Sequence, residues 1–254
     1  MERFEQYQNA LESIEHYAVQ NEFSKLYSET YICPNCRSKS LGVDWSSINL
    51  WHTRKSQQYM DESREESLAW DEEESELQFV GRLRCECGEI VAISGDAAYQ
   101  KEIVDDNGSQ VQCLDEKYQI KYFSRPIQSF YAPTKTPHQC VKILEEAFLL
   151  FHINPSASGN RLRVLLELVV DDLLGSDGHT INDLNGKIGK LSKKMPDVKG
   201  LADLKRKLGN RASHKKGLTH ESLTTAFYFM DHLLNRAYGE KFEMLRFSQS
   251  KTVT

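Results

Sequence analysis

Two closely spaced pairs of cysteines are the feature that most constrains how this chain can fold. They occur as CPNC at residues 33–36 and CECG at residues 85–88. The two-residue gap of the first pair lets successive thiolates bind one ion, and Gly88 suits a rubredoxin-type turn after the second pair. Four thiolates on two turns fit a tetrahedral zinc site that is closed to substrate. We therefore predict structural Zn²⁺, with the ligands Cys33, Cys36, Cys85 and Cys87.

Two other interpretations of these cysteines are open. The second gap is one residue shorter than the first, and 48 residues separate the pairs, so buried reduced thiols are one alternative. A redox-active CxxC is the other, although no βαβ pattern surrounds it. The two remaining cysteines, Cys113 and Cys140, lie beside a predicted strand and on the apolar stripe of a predicted helix. Neither of these two cysteines is expected to bind a metal ion.

The chain is expected to be cytoplasmic, without a membrane-spanning segment. Its N-terminus, MERFEQYQNALES, has neither the basic start nor the apolar run of a secretory signal. No segment approaches the roughly 20 apolar residues that cross a bilayer. Because the chain has no recognisable secretory signal, the six cysteines are not expected to form a framework of disulfides.

The net charge of −5 conceals two oppositely charged segments. Residues 61–76 contain nine acidic residues and one arginine, and such blocks usually form solvated loops. Residues 187–216 contain eleven lysines and arginines against two aspartates. This basic segment is either a solvated helix face or an anion-binding surface, since charge alone does not specify a partner.

The pattern of apolar residues predicts an α+β chain, with a small β module followed by a helical bundle. We predict an N-terminal helix over residues 1–30, with its apolar face reaching Ala18, and a β module over 31–130 with an exposed acidic insertion at about 61–76. A turn is predicted at 105–108, where the sequence reads DDNG. The helical domain is predicted over 137–245, and residues 246–254 form a tail.

Apolar stripes predict the helices of the bundle. The first stripe runs from Cys140 to Phe151, the second from Leu162 to Leu173, and the last from Leu223 to Leu234. Asn154 with Pro155, Gly175 and Thr219 mark predicted helix ends. A shorter helix is predicted to start at Thr180, with Asp183 as the acid of a capping box.

Two polar rows within the bundle are candidate sites. Arg206, Asn210 and His214 have the i, i+4, i+8 spacing of one helix face, which places a cation, an amide and an imidazole in line. Such a row could bind a phosphate and transfer a proton. Asn160, Arg163 and Glu167 are spaced i, i+3, i+7 on another helix. In the alternative interpretation both rows are structural, with Arg163 and Glu167 as an ordinary i, i+4 pair.

The helical part resembles the domain of unknown function 4145. The resemblance is carried by ILEEAFLLFHINPSASGNRLRVLLELVVDDL, LNGKIGKL and LADLKRKLGNRASH, and it extends over about residues 30–235. The family pattern matches Asn160, Arg163 and Glu167, and then Arg206, Gly209, Asn210 and His214. The resemblance implies an N-terminal zinc ribbon joined to a bacterial HEPN-like helical domain.

HEPN-like domains occur in toxin–antitoxin, restriction and phage-defence systems, and many are metal-independent ribonucleases that form dimers. In such a dimer, arginine and histidine act at a shared cleft on an RNA 2′-hydroxyl and its neighbouring phosphate. The nuclease motif places four to six residues between them, whereas Arg206 and His214 are separated by seven and Arg211 and His214 by two. At most, therefore, the resemblance implies a ribonuclease with Arg206, Asn210 and His214 as catalytic residues.

Three functions follow as expectations. The first is a homodimeric defence or stress protein that binds RNA or another nucleic acid through a basic helical face. The expected binding residues are Asn160, Arg163, Glu167, Lys205, Lys207, Arg211 and Lys215. The second is a non-catalytic interaction module that dimerises or docks a partner enzyme of a defence system. The third is an antitoxin-like inhibitor whose acidic block mimics nucleic acid.

Overall fold

The computed structural model describes residues 17–27, 30–66, 71–106, 109–175, 181, 183–195 and 218–239. It divides the chain into two compact units. The first, called the β unit here, comprises residues 20–127. The second, called the helical unit, comprises residues 1–19 and 128–254. The chain is thus of mixed α and β structure, as the sequence predicts, and no described helix is long and apolar enough to cross a membrane.

A curled antiparallel sheet of six strands forms the β unit. The strands are β1 (Glu22–Ser24), β2 (Gly42–Val43), β3 (Asn49–His52), β4 (Leu77–Arg84), β5 (Ile90–Asp106) and β6 (Ser109–Phe123). They are ordered β1-β6-β5-β4-β2, and β3 also pairs with β4. The hairpin between β5 and β6 connects after Asp106, where the sequence predicts a turn.

The alternation of apolar residues explains which face of the sheet is buried. Phe23 pairs with Tyr118 in the register of β1 and β6, and their rings stack with centroids 4.7 Å apart. Phe79 of β4 meets the Tyr118 ring edge-on at 5.1 Å. Gly95 lies at a bulge in β5, where a β-carbon would stand 2.0 Å from the Gln119 carbonyl oxygen. A side chain at this position would therefore push β5 and β6 apart.

Two predictions for the β unit are wrong. A helix predicted up to residue 30 does not extend through residues 17–27, because residues 22–24 form β1 and pair with β6. Residues 1–16 lie outside the described part. The nine acidic residues of the block are exposed, but the block is not only a loop: helix α1 (Arg54–Glu65) contains its first five residues. Thr53 caps α1 by accepting a hydrogen bond from the Ser56 backbone at 3.2 Å.

Four α-helices are described in the helical unit, and they follow the predicted stripes. They are α2 (His138–Leu149), α3 (Pro155–Leu174), α4 (Leu184–Lys194) and α5 (His220–Tyr238). Thr219 caps α5, as the sequence predicts. Asn154, which was expected only to end the preceding helix, also caps α3. The start predicted for α4 is wrong, because Asp183 is itself the N-cap and accepts from the Gly186 backbone at 2.9 Å.

Aromatic residues from several segments form the core of the helical unit. The Phe148 and Phe227 rings stack at 4.3 Å, which joins α2 to α5. The apolar stripe of α3 ends at Leu174 rather than at Leu173, since Leu174 is the buried residue. The hydroxyl of Tyr17 donates to Asp231 at 2.7 Å, which explains why the segment before residue 20 belongs with the helices.

Partly buried His152 should give the helical unit a pH-dependent stability. Burial lowers its pKa to about 4, with a further lowering from His220, whose ring lies 5.6 Å away. The unfolded chain takes up this proton below about pH 6.5, whereas the folded chain does so only near pH 4. The free energy of unfolding is therefore greatest above pH 6.5 and decreases as the pH falls toward 4.

We expect His152→Leu to remove this part of the pH dependence. Between pH 7 and 4 the wild type should lose on the order of 3 kcal/mol more than the variant. The measurement is urea unfolding followed by circular dichroism at several pH values. His138→Leu, at an exposed position, is the control and should keep the wild-type slope. Equal slopes for wild type and His152→Leu would contradict the prediction.

Candidate metal centre

A tight turn presents the first two cysteines. Tyr31 and Leu41 form an isolated antiparallel bridge that closes the base of this turn. Inside it, the Cys33 N–H donates to the Ser38 carbonyl and the Arg37 N–H donates to the Cys33 carbonyl, both at 2.9 Å. Arg37 has a φ of 61°, a left-handed conformation that is uncommon for a residue with a side chain. We call residues 33–38 the first cysteine turn.

The connection between β4 and β5 presents the other two cysteines. The Cys85 N–H donates to the Glu89 carbonyl, and the Gly88 N–H donates back to the Cys85 carbonyl, both at 3.0 Å. Gly88 has a φ of 91°. We call residues 85–89 the second cysteine turn. In both turns a residue with left-handed backbone directly follows the second cysteine.

The structure brings together all four cysteines that the sequence predicts as ligands. Cys33 Sγ lies 3.6 Å from Cys87 Sγ, and Cys36 Sγ lies 3.6 Å from Cys85 Sγ. All four sulfur atoms lie within 4.8 Å of one another. Four sulfurs placed tetrahedrally at about 2.3 Å from a zinc ion would be about 3.8 Å apart. The cluster is therefore compatible with a metal ion bound between the two turns.

Hydroxyl and amide groups around the cluster were not predicted from the sequence. Ser40 Oγ lies 3.0 Å from Cys85 Sγ, and Ser38 Oγ lies 2.9 Å from Cys36 Sγ. The Asn35 amide donates to Cys87 Sγ at 3.7 Å. Groups of this kind orient metal ligands and stabilise thiolates. The two serines of RSKS, directly after the first cysteine pair, are the feature of the sequence from which these hydroxyl contacts could have been predicted.

The surroundings of the four cysteines shift the pKa values of their thiols in opposite directions. The hydrogen bond with Ser40, with a second from the Cys87 backbone, lowers the pKa of Cys85 to about 6. Hydrogen bonds with Ser38 also lower the pKa of Cys36. Burial raises the pKa of Cys33 to about 11. A cation in the cluster would supply the opposite charge that a buried Cys33 thiolate needs.

The second polar row is an exposed feature of α3. Arg163 Nε donates to Glu167 Oε1 at 3.2 Å, and both side chains are more than 40% exposed. Asn160 is exposed one turn earlier. The remaining predicted site residues lie outside the described residues; they are Lys205, Arg206, Lys207, Asn210, Arg211, His214 and Lys215. Their roles in binding and catalysis stay predictions.

Comparison with known families gives a separate match for each half of the chain. The sequence model of the family described as Domain of unknown function (DUF4145) matches residues 145–251. That of Domain of unknown function (DUF8608) matches residues 21–123. Neither a curated protein nor a solved structure matches the chain. The first match supports the resemblance of the helical part, whereas the zinc ribbon and the HEPN-like domain stay predictions.

The left-handed backbone at Gly88 yields a prediction with a matched control. A β-carbon at Gly88 or at Gly42 would meet no atom within 4 Å, but only Gly88 of this pair has a positive φ. Gly88→Ala should therefore lower the free energy of unfolding of the β unit by about 1–2 kcal/mol. Gly42→Ala should lower it by less or raise it. Denaturant unfolding followed by tryptophan fluorescence measures both, and equal effects would contradict the assignment.

Proposed function

We propose that the four-cysteine cluster binds one structural Zn²⁺. The observation that carries this proposal is the spacing of the four sulfur atoms, all within 4.8 Å of one another. Soft thiolates select zinc among the common divalent ions, and a site with four protein ligands has no open position for substrate. The ion would join the first cysteine turn to the second, and its role would be to stabilise the β unit.

Removal of zinc should unfold the β unit and leave the helical unit folded. All three tryptophans, Trp45, Trp51 and Trp70, belong to the sequence of the β unit, so tryptophan fluorescence reports on it alone. Circular dichroism at 222 nm reports mainly on the helices. A strong chelator should shift the fluorescence and leave most of the helical signal unchanged, because zinc binding contributes to the folding free energy of its own unit.

Elemental analysis tests the same proposal directly. We expect one zinc per chain in the wild type and a loss of zinc in Cys85→Ser. Cys113→Ser is the control and should retain it, because Cys113 does not belong to the cluster. A protein that holds no zinc and keeps its fluorescence under chelation would refute a structural zinc site.

We further propose that the helical unit binds RNA or another nucleic acid through residues 187–216. Eleven lysines and arginines in this segment, against two aspartates, support the proposal. Of the lysines on α4, Lys193 and Lys194 are exposed, whereas Lys187 pairs with Asp171 at 2.6 Å. Phosphate contacts from exposed lysines dominate nucleic-acid affinity and need no particular base sequence.

A role in bacterial defence or stress response is part of this proposal and follows from the resemblance alone. Cleavage of RNA would require Arg206, Asn210 and His214 to act together. Their departure from the nuclease spacing makes binding without cleavage the function that we favour. His214→Ala would abolish cleavage of single-stranded RNA if the protein were a ribonuclease.

One observation favours the alternative function, a non-catalytic interaction module that docks a partner protein. The Arg163 guanidinium already pairs with Glu167 on the exposed face of α3. A paired arginine is less available to a phosphate than a free one, so this row is better suited to a protein surface than to RNA. Loss of partner binding without loss of RNA binding in Arg163→Ala would support this alternative.

Nucleic-acid binding can be tested on two described residues. Lys193→Ala/Lys194→Ala should weaken binding of single-stranded RNA and make the dependence of log Kd on log salt shallower, by about 0.7 for each phosphate that the variant no longer neutralises. Fluorescence anisotropy at several salt concentrations measures both quantities.

A matched control is available in the β unit. Lys55→Ala/Lys121→Ala removes the same number of charges from exposed positions and should leave affinity and salt dependence unchanged. Equal weakening by the two double variants would show only a general charge effect. An affinity that neither pair of substitutions changes would contradict binding through α4.

A further inference from the structure

The hairpin of β5 and β6 extends beyond the rest of the sheet. β4 pairs with β5 only as far as Ala97, and β1 pairs with β6 only over residues 117–119. Beyond these points the two strands pair with each other, and no other described strand joins them. We call residues 98–106 and 109–116 the β-ribbon. A two-stranded ribbon has two outer edges, and each carries backbone groups that need partners.

Charged residues protect the β5 edge of the β-ribbon at Lys101. The backbone N–H of Lys101 donates to Glu73 Oε1 at 3.1 Å. The Lys101 ammonium group also pairs with Asp71 at 3.5 Å and with Glu73. Charges at an edge strand prevent another strand from adding to it. The segment that precedes β4 therefore protects this edge at Lys101.

The β6 edge carries outward-pointing backbone groups. The Ile120 N–H donates to the Asn21 carbonyl at 2.6 Å, and the Ile120 carbonyl accepts from the Asn21 amide at 3.1 Å. Both groups of Ile120 therefore point away from β5. Because alternate residues of a strand point their backbone groups to the same side, Gln110, Gln112 and Leu114 also present theirs at this edge.

The β6 edge lacks the charged residues and prolines that usually protect an edge strand. Residues 109–114 read SQVQCL, with no charge and no proline. Val111 is 45% exposed and Leu114 is 40% exposed, and neighbouring Ile103 on β5 is 66% exposed. An exposed, apolar and uncharged edge strand readily pairs with another strand. The β6 edge thus lacks the charges that protect the β5 edge at Lys101, and it is able to pair with another strand.

We propose that a second copy of the chain pairs with this edge, so that the two β6 strands run antiparallel across a two-fold axis at Gln112. This register places Gln112 opposite Gln112 of the second copy, Gln110 opposite Leu114, and Val111 opposite Cys113. Every cross-strand pair within residues 110–114 is then uncharged. The outward-pointing N–H and C=O groups of Gln110, Gln112 and Leu114 in the two copies form about six backbone hydrogen bonds. The interface is independent of the basic segment and of its proposed ligand.

Two substitutions at Gln112 test the interface by the mass of the protein in solution. The wild type should sediment at twice the 29.3 kDa of the chain. Gln112→Pro removes an N–H that points away from β5, so the β-ribbon keeps its own ladder while the dimer loses its central hydrogen bonds. Gln112→Lys places two like charges directly opposite each other. Each should raise the dimer dissociation constant by at least about tenfold.

Cross-linking tests the register. Val111→Cys would stand opposite the native Cys113 of the second copy, at a separation that a disulfide can span. Mild oxidation of the zinc-loaded protein should give a covalent dimer. The double variant Val111→Cys/Cys113→Ser should give none, because residues 111 of the two copies are offset along the strands.

Gln78→Lys is the control for the mass measurement, since it adds a charge at an exposed position of β4 and should remain dimeric. Three results would each overturn the proposal. They are a monomeric wild type, a dimer that neither Gln112 variant weakens, and equal cross-linking of the single and double cysteine variants. A monomer that binds an extended peptide at this edge would assign the edge to another partner.

Discussion

The meeting of four sulfur atoms is the constraint on which the β unit depends. Two cysteine turns, whose cysteine pairs are separated by 48 residues of the chain, bring their thiols within 4.8 Å of one another. The turn between β4 and β5 can take part only if these strands are correctly paired, because Cys85 directly follows β4 and Cys87 lies three residues before β5. The first turn is likewise fixed by the bridge of Tyr31 with Leu41. Sheet register and ligand geometry therefore support each other.

The two units are stabilised by different physical means. In the helical unit, apolar stripes on α2, α3 and α5 meet in a core of fully buried leucines and phenylalanines, which include Leu144, Leu166 and Phe227. The sheet of the β unit has an apolar face and a polar face, and a bound metal would add a cross-link at one end. Consequently the two units should respond differently to chelators. A chelator would act only on the cysteine turns, if they bind a metal, whereas acid would protonate their thiolates as well as partly buried His152 in the helical unit.

Charge distinguishes the surfaces of the two units. The acidic block lies in the β unit, where Glu73 and Asp71 protect the edge of β5 through Lys101. The basic segment lies in the helical unit and begins on α4. A segment rich in charges of one sign can thus have either of two roles. An acidic segment can protect an edge strand from pairing, and a basic segment can attract phosphates. The uncharged edge of β6 is a third kind of surface, suited to backbone pairing.

The sequence by itself determined the cysteine pairs, the helical stripes and the cap Thr219, because each depends on local spacing and local hydrogen bonds. A helix was predicted where β1 forms, because the apolar residues follow a helical pattern. Pairing of β1 with β6, about 95 residues away in the chain, overrides this local preference. The sequence also missed α1, whose polar residues give no apolar stripe. Only the tertiary structure decided that Ser38 and Ser40 adjoin the thiols and that one edge of the β-ribbon is guarded while the other is open. Both facts depend on which strands pair, and strand pairing is a non-local property of the chain.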